Sequence, residues 1–288
     1  MEGYKFDLRL YVLVRSINPL CIFLYDDGLV RLCTTKYVSP TGSNLRETTM
    51  HLTNYAVNKD CPEFIPNTRV EDDGTGSKRS IKWFRTWLKE HPSCDAKSTW
   101  RSIEDVIVKT ILAAQPVIAE TNAVCGSPYE SKCFEVLGFD IMLDSKFRPW
   151  LIEVNHSPSF TASSPMDESI KRNLIVSTLD TLNLKKNDEE KFQKQSQKDS
   201  RRRLYQNTTT ASKNQEKSAT KTKLKYNNFT QIFPPPLNSP FPSKFDKLVK
   251  GARDLHVTSK GMVPDWQSPK KMNLQKKCIF DSKPAAAF

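Results

Sequence analysis

From Lys5 onward, apolar and polar positions alternate with period two, and the pattern breaks twice before Cys33. Leu8–Val14, Leu20–Tyr25 and Leu29–Cys33 read as strands, with turns at Asn18-Pro19 and at Asp26-Asp27-Gly28, which predicts an antiparallel meander. Residues 58–80 are polar, contain Pro62, Pro66, Gly74 and Gly76, and predict a long mobile loop of a kind that is often functional. The apolar period then changes to three and four. Ile81, Phe84, Trp87 and Leu88 predict one helix; Trp100, Ile103, Val106, Ile107, Thr110 and Ile111 predict another, both striped for core packing. Phe134–Asp144 and Arg148–Asn155, on either side of Ser145-Lys146, predict a second hairpin. Asp167–Leu182 predicts a last amphipathic helix bearing Ile170, Leu174 and Leu179. Antiparallel hairpins packed with helices make the fold class α+β over residues 1–184.

Charge divides the chain at Leu184. Residues 1–184 carry 21 basic and 23 acidic side chains; residues 185–288 carry 23 and 9, so the whole excess of +12 lies in the second part. Residues 185–204 are charged and predict a basic helix. Residues 205–288, rich in Asn, Thr, Ser, Lys and Pro, are expected to form a disordered tail, since so little apolar surface does not offset chain entropy. Its Pro234-Pro235-Pro236 and Pro240-Phe241-Pro242 runs read either as a plain flexible tail or as ligands for an SH3 or WW groove. No run approaches eighteen apolar residues and no basic-then-apolar leader follows Met1, so a soluble, intracellular chain without a membrane span is expected. The seven cysteines are widely spaced without a CxxC pair and read as reduced thiols.

The second hairpin carries the candidate chemistry. A turn at Ser145-Lys146 would set Asp140 opposite Leu151 and diagonal to Glu153, with Asp140, Glu153 and Asn155 on one face. Phe139, Ile141, Leu143, Trp150, Ile152 and Val154 would form a buried apolar surface on the other. Two carboxylates and an amide so close would repel, with raised pKa values, unless a cation sits between them, and an all-oxygen set selects a hard ion such as Mg²⁺. The competing reading is an ordinary solvent-facing strand. Lys5, Asp7 and Arg9 alternate onto one face of the first strand and Arg31 lies on the third. Their guanidinium groups suit phosphate or carboxylate, or else belong to a surface of mixed charge.

Four motifs in order, Lys5-Phe6-Asp7-Leu8-Arg9, His51-Leu52-Thr53-Asn54-Tyr55, Gly138-Phe139-Asp140 and the run from Pro149 through Glu153 and Asn155 to Ser159, closely resemble the tubulin tyrosine ligase-like (TTL) family. Ala56-Val57-Asn58-Lys59, Gly76-Ser77-Lys78-Arg79 and the basic segment are most similar to its polyglutamylase branch. The resemblance implies part of an ATP-grasp fold and ligation through an acyl phosphate: ATP activates a carboxylate in the acidic tubulin tail, and the amine of free glutamate displaces the phosphate. It implies ATP and Mg²⁺ as cofactors, with Asp140, Glu153 and Asn155 as metal ligands and Lys5 and Asp7 at the nucleotide's base or ribose. Arg9 would stabilise the acyl phosphate, and Arg31, Thr53, Asn54 and Lys59 would place substrate carboxylates or phosphate. His51 and His156 read equally as packing residues.

The basic segment is similar to the family's cationic microtubule-binding helix. Microtubules are therefore the expected partner, with nucleic acid the generic alternative for a basic tail that lacks aromatic platforms. Cytoplasm and cytoskeleton, and cilium or basal body, are the expected locations. The family places a further domain, with the glycine-rich phosphate loop, ahead of the Lys5 strand, and neither GxGxxG nor GxxxxGKS occurs here. Three readings follow: a short form of an active polyglutamylase, an inactive microtubule-binding form, or a sister ligase that adds glycine or tyrosine.

Overall fold

A computed structural model describes residues 1–125, 133–183, 225–234 and 242–259. The expected basic helix at 185–204 and most of both proline runs lie outside the described residues. Strands β1 (Tyr4–Ile17) and β2 (Leu20–Lys36) form a long antiparallel hairpin. β4 (Glu135–Leu143) pairs with the other edge of β1, and β5 (Pro149–Asn155) pairs with β4. Strand order is β5-β4-β1-β2-β7-β6, with β6 at Lys225–Tyr226 and β7 at Phe229–Phe233; β3 (Lys78–Ser80) takes a further stretch of the β2 edge.

The expected three-strand meander is corrected to two strands. β2 runs straight through Asp26-Asp27-Gly28, and the polar residues that suggested a turn are absorbed by neighbours at a register shift. The Asp26 amide donates to the Asn228 carbonyl at 2.7 Å, Thr230 Oγ1 donates to Asp26 Oδ1 at 2.7 Å, and the Gly28 amide donates to Asp27 Oδ1 at 2.9 Å. Gly28 permits the close approach: an added Cβ would lie 2.4 Å from the carbonyl oxygen of Arg9.

The two faces of the sheet differ. Leu8, Leu10 and Val12 point into the larger core, with Phe84 and Leu88 of α3 (Ile81–Glu90) and Ile103, Ile107 and Ile111 of α4 (Ala96–Cys125). On the opposite face Tyr11, Leu13, Phe23 and Tyr25 meet Met166, Ile170 and Leu174 of α5 (Pro165–Leu182) and Phe229 of β7. Helix α5 covers only part of that face. Arg9, Asp7 and Lys5, continuing the same alternation, emerge where its cover ends. Leu179, expected in the α5 stripe, is instead exposed.

Three further expectations change. Residues 58–80 are pinned, not a free loop: α2 (Tyr55–Asn58), a 3₁₀ turn (Val70–Asp72) and β3 punctuate them, and Asp72 and Asp73 accept hydrogen bonds from Thr68, Arg69 and Ser80. Trp150, Ile152 and Val154 are exposed rather than buried, because β5 is an edge strand. The disordered tail is corrected over 225–234 and 242–259. Helix α6 (Pro242–Ser259) packs on α4, and Phe229, Ile232 and Phe245 are buried in the two cores. Isolated aromatics in a polar stretch gave no periodic signal, yet each finds an apolar groove already built by the sheet.

Candidate functional site

Cross-strand register assembles the site in two rows. Asp7 faces Arg31 across β1–β2, and Arg31 faces Lys78 across β2–β3. One step along, Arg9 faces Asp140 across β1–β4, and Asp140 faces Glu153 across β4–β5. The last pairing corrects the expected register: an irregularity between Asp140 and Ile141 leaves Ile152 as an extra residue in β5 and brings Glu153 directly opposite Asp140. Ile141 then faces Leu151.

The charges interlock. Arg9 donates to Asp140 through Nε at 2.5 Å and through Nη2 at 2.9 Å. Arg31 donates to Asp7 through Nε at 2.9 Å and through Nη2, and its Nη2 also reaches Asp140 Oδ2 at 2.8 Å. Two guanidinium groups thus already supply Asp7 and Asp140 with the cations that such close carboxylates require. Burial by itself would raise the Asp140 carboxyl, but the hydrogen bond from Arg9 and the charge of Arg31 outweigh it and hold the group below the usual carboxylate range. For Arg31, burial opposes the charged form, yet Asp7 and Asp140 leave its pKa raised.

Seven of the sequence-selected residues, Lys5, Asp7, Arg31, Thr53, Asn54, Asp140 and Glu153, line one pocket of about 140 Å³. Arg9 joins it through Asp140. Asn155 joins through Glu153, to whose Oε1 its amide donates at 3.1 Å. Lys59 does not join: its side chain is 46% exposed and its nearest partner is Asp60 at 3.9 Å. His51 lines the pocket while its ring bonds the Asn44 carbonyl at 3.0 Å, and His156 lies exposed outside the pocket.

Asp140 Oδ2 is saturated by Arg9 and Arg31, but Oδ1 retains a lone pair, Glu153 is exposed, and Asn155 adds an amide oxygen. These hard oxygen donors on adjoining strands are of the kind that holds a magnesium ion, while Arg9 and Arg31 already balance the charge of Asp140. Among the described residues no group of three or more His, Cys, Asp or Glu side chains is gathered as a metal site.

Two residues passed over in the sequence prove central. Asn58 is buried. Its Oδ1 accepts from the Thr34 amide at 3.0 Å and hydroxyl at 2.9 Å, while its Nδ2 donates to the Leu52 and Asn54 carbonyls at 2.7 and 3.0 Å, so it fastens the Thr53–Asn54 segment to β2. Lys78 is buried beside Asp167 and Lys171; burial pushes its pKa down, partly offset by Asp167. Asn58 and Lys78 lie within the family-like stretches Ala56-Val57-Asn58-Lys59 and Gly76-Ser77-Lys78-Arg79, but nothing local distinguishes them from their neighbours.

The family model described as "Tubulin-tyrosine ligase family" matches residues 1–192. The chain belongs to the tubulin-tyrosine ligase family. Within it, the chain is 44% identical over 218 residues to tubulin polyglutamylase ttll6 of Danio rerio, an overlap of 75% of this chain and 27% of that protein. It is 47% identical over 209 residues to tubulin polyglutamylase TTLL7 of Mus musculus (71% and 22%) and 44% identical over 209 residues to mouse tubulin polyglutamylase TTLL13 (71% and 25%). The chain thus spans about a quarter of the length of these curated relatives. The tubulin-tyrosine ligase match contains the whole charged pocket and ends before β6, β7 and α6. No helix among the described residues is long and apolar enough to cross a membrane.

Proposed function

We propose that this chain carries the acid-activating part of a tubulin polyglutamylase, an ATP- and Mg²⁺-dependent ligase that joins free glutamate to glutamate side chains or branches in the acidic tubulin tails. The observation that carries the reading is the pocket in which Lys5, Arg31, Asp140 and Glu153 converge, with Arg9 held against Asp140. It is supported by the names of the relatives, all polyglutamylases.

Asp140, Glu153 and Asn155 would hold Mg²⁺, which supplies charge neutralisation when a phosphoryl group moves between oxygens. Lys5 and Asp7 would orient the nucleotide. Arg9, fixed by Asp140, keeps a planar cation aimed at the place where an acyl phosphate would carry its charge, and preorganised cations of this kind act without reorganising during the reaction. Arg31, Thr53 and Asn54 would place the carboxylate. The expected partner is the microtubule surface, in cytoplasm and cytoskeleton and at cilia or basal bodies, with residues 185–204 as the basic contact.

The test is incorporation of labelled glutamate into microtubules by the 288-residue chain with ATP and Mg²⁺, with glycine and tyrosine as competing substrates and Glu153→Gln as control. Incorporation that requires Glu153 supports the reading. Preference for glycine or tyrosine would reassign the ligase, and microtubule binding without incorporation would leave a binding form.

A further inference from the structure

The end of α5 and the start of β6 meet, although 41 residues lie between Asn183 and Lys225. Asn183, in the left-handed conformation, closes the helix by donating its amide to the Leu179 and Asp180 carbonyls, both at 3.1 Å. The two-residue turn between β6 and β7 lies against the same helix end. Asn227 Nδ2 donates to Asp180 Oδ2 at 2.9 Å, and Asn228 Nδ2 donates to the Oγ of buried Ser177 at 3.1 Å. The turn is fixed to the sheet as well. The Asn228 carbonyl accepts from the Asp26 amide at 2.7 Å, and Phe229, the next residue, is wholly buried against Phe23 and Tyr25.

The intervening residues 184–224 carry twelve Lys or Arg side chains and five Asp or Glu. A segment tethered at one end spreads its charge through a wide volume, whereas one tethered at both ends is confined and loses less freedom on binding. Helix α5 also sets where that charge is held. It has 18 residues, a length of about 27 Å at 1.5 Å per residue. Its first turn carries Asp167, 3.5 Å from Lys78, which faces Arg31 across β2–β3. The charged pocket thus lies at one end of α5, and both ends of the basic segment lie at the other.

We propose that residues 225–229 are an anchor that closes the basic segment into a loop at a fixed distance from the pocket. The partner that fits is an extended acidic polypeptide, matched to the loop by charge. Held there, it must span the length of α5, about eight residues at roughly 3.3 Å each, before a carboxylate reaches Arg9 and Arg31. The identity of the partner rests on the ligase reading above; the closure of the loop does not.

The experiment places the recognition sequence of a specific protease between Ala211 and Ser212 of the 288-residue chain, so that a cut opens the loop and removes no charge. The two pieces are expected to co-elute in size exclusion after cutting, and separation overturns the anchor. Asn227→Ala combined with Asn228→Ala, which leaves Phe229 in place, is expected to raise the separated fraction at least threefold. An unchanged fraction overturns the role of the two asparagines. Cutting is also expected to weaken binding to microtubules and to soluble polyglutamate at least threefold. Equal affinity before and after the cut overturns the confinement, and tighter binding of single-stranded nucleic acid than of polyglutamate overturns the partner. In the ligation assay the uncut chain is expected to add glutamate at fewer tail positions than the cut chain, as mapped by mass spectrometry. Identical positions overturn the spacing role of α5. A chain that fails to ligate removes the ligase reading and leaves co-elution and affinity to decide the anchor.

Discussion

Arg9 and Asp140 are cross-strand partners whose side chains meet in two parallel hydrogen bonds, Nε to Oδ1 at 2.5 Å and Nη2 to Oδ2 at 2.9 Å. This paired geometry fixes the plane of the guanidinium as well as its position. Asp140→Asn keeps the shape but removes the charge that faces Arg9 and Arg31. It is expected to lower unfolding free energy by about 3–5 kcal/mol, the usual cost of breaking a buried pair on one side. A urea midpoint within error of wild type would show that the arginines find other partners.

The glycine beneath that pair is expected to tolerate nothing larger. Gly138→Ala puts a methyl group 3.0 Å from Pro158 Cβ and 3.4 Å from Arg9 Cδ, which forces a shift of a few tenths of an ångström. Overpacking of this kind costs about 1–3 kcal/mol. Thermal unfolding reads the stability term, and a larger loss of ligation than of stability would locate the damage at Arg9.

Neighbouring residues Asn58 and Lys59 are expected to behave oppositely. Asn58→Ala strands the Thr34 amide and the Leu52 and Asn54 carbonyls, costing about 2–4 kcal/mol. Lys59→Ala, at an exposed side chain, is expected to change stability by less than about 0.5 kcal/mol and glutamate incorporation by less than twofold. A strong activity loss in Lys59→Ala would return that residue to the site.

Acid stability is expected to depend on Asp167. Burial alone would raise its carboxyl, but the Lys78 charge and the Lys171 hydrogen bond hold it below the usual value. A carboxyl depressed in the folded state adds stability above its unfolded value, about 3.9, and loses it as pH falls through the folded value. The melting temperature of wild type should therefore drop steeply below about pH 4. Asp167→Asn should start lower at neutral pH and fall less steeply, and parallel curves would contradict the assignment.

The returning strand is expected to be structural. Phe229 is fully buried against Phe23 and Tyr25, and Phe229→Ala should cost about 3–5 kcal/mol. A chain ending at Leu224 should expose the β2 edge and aggregate in light scattering. A monodisperse truncated chain with wild-type stability would show that β7 adds nothing.

Period-two alternation is a local property, so the sequence by itself determined the β1–β2 and β4–β5 hairpins, the face shared by Lys5, Asp7 and Arg9, and the helical stripes of α3 and α4. Of the ten residues it selected for the site, nine gather there, because strand alternation and motif spacing are both written along the chain. Only tertiary structure decided that β2 passes through Asp26-Asp27-Gly28, since Asn228 and Thr230, some two hundred residues away, satisfy the polar groups of that segment. Tertiary structure likewise set Glu153 opposite Asp140 through the β5 irregularity, left Lys59 outside, and brought Lys78 of β3 to Asp167 and Lys171 of α5. Charge pairing between distant segments depends on where the backbone brings them, and no local period records that.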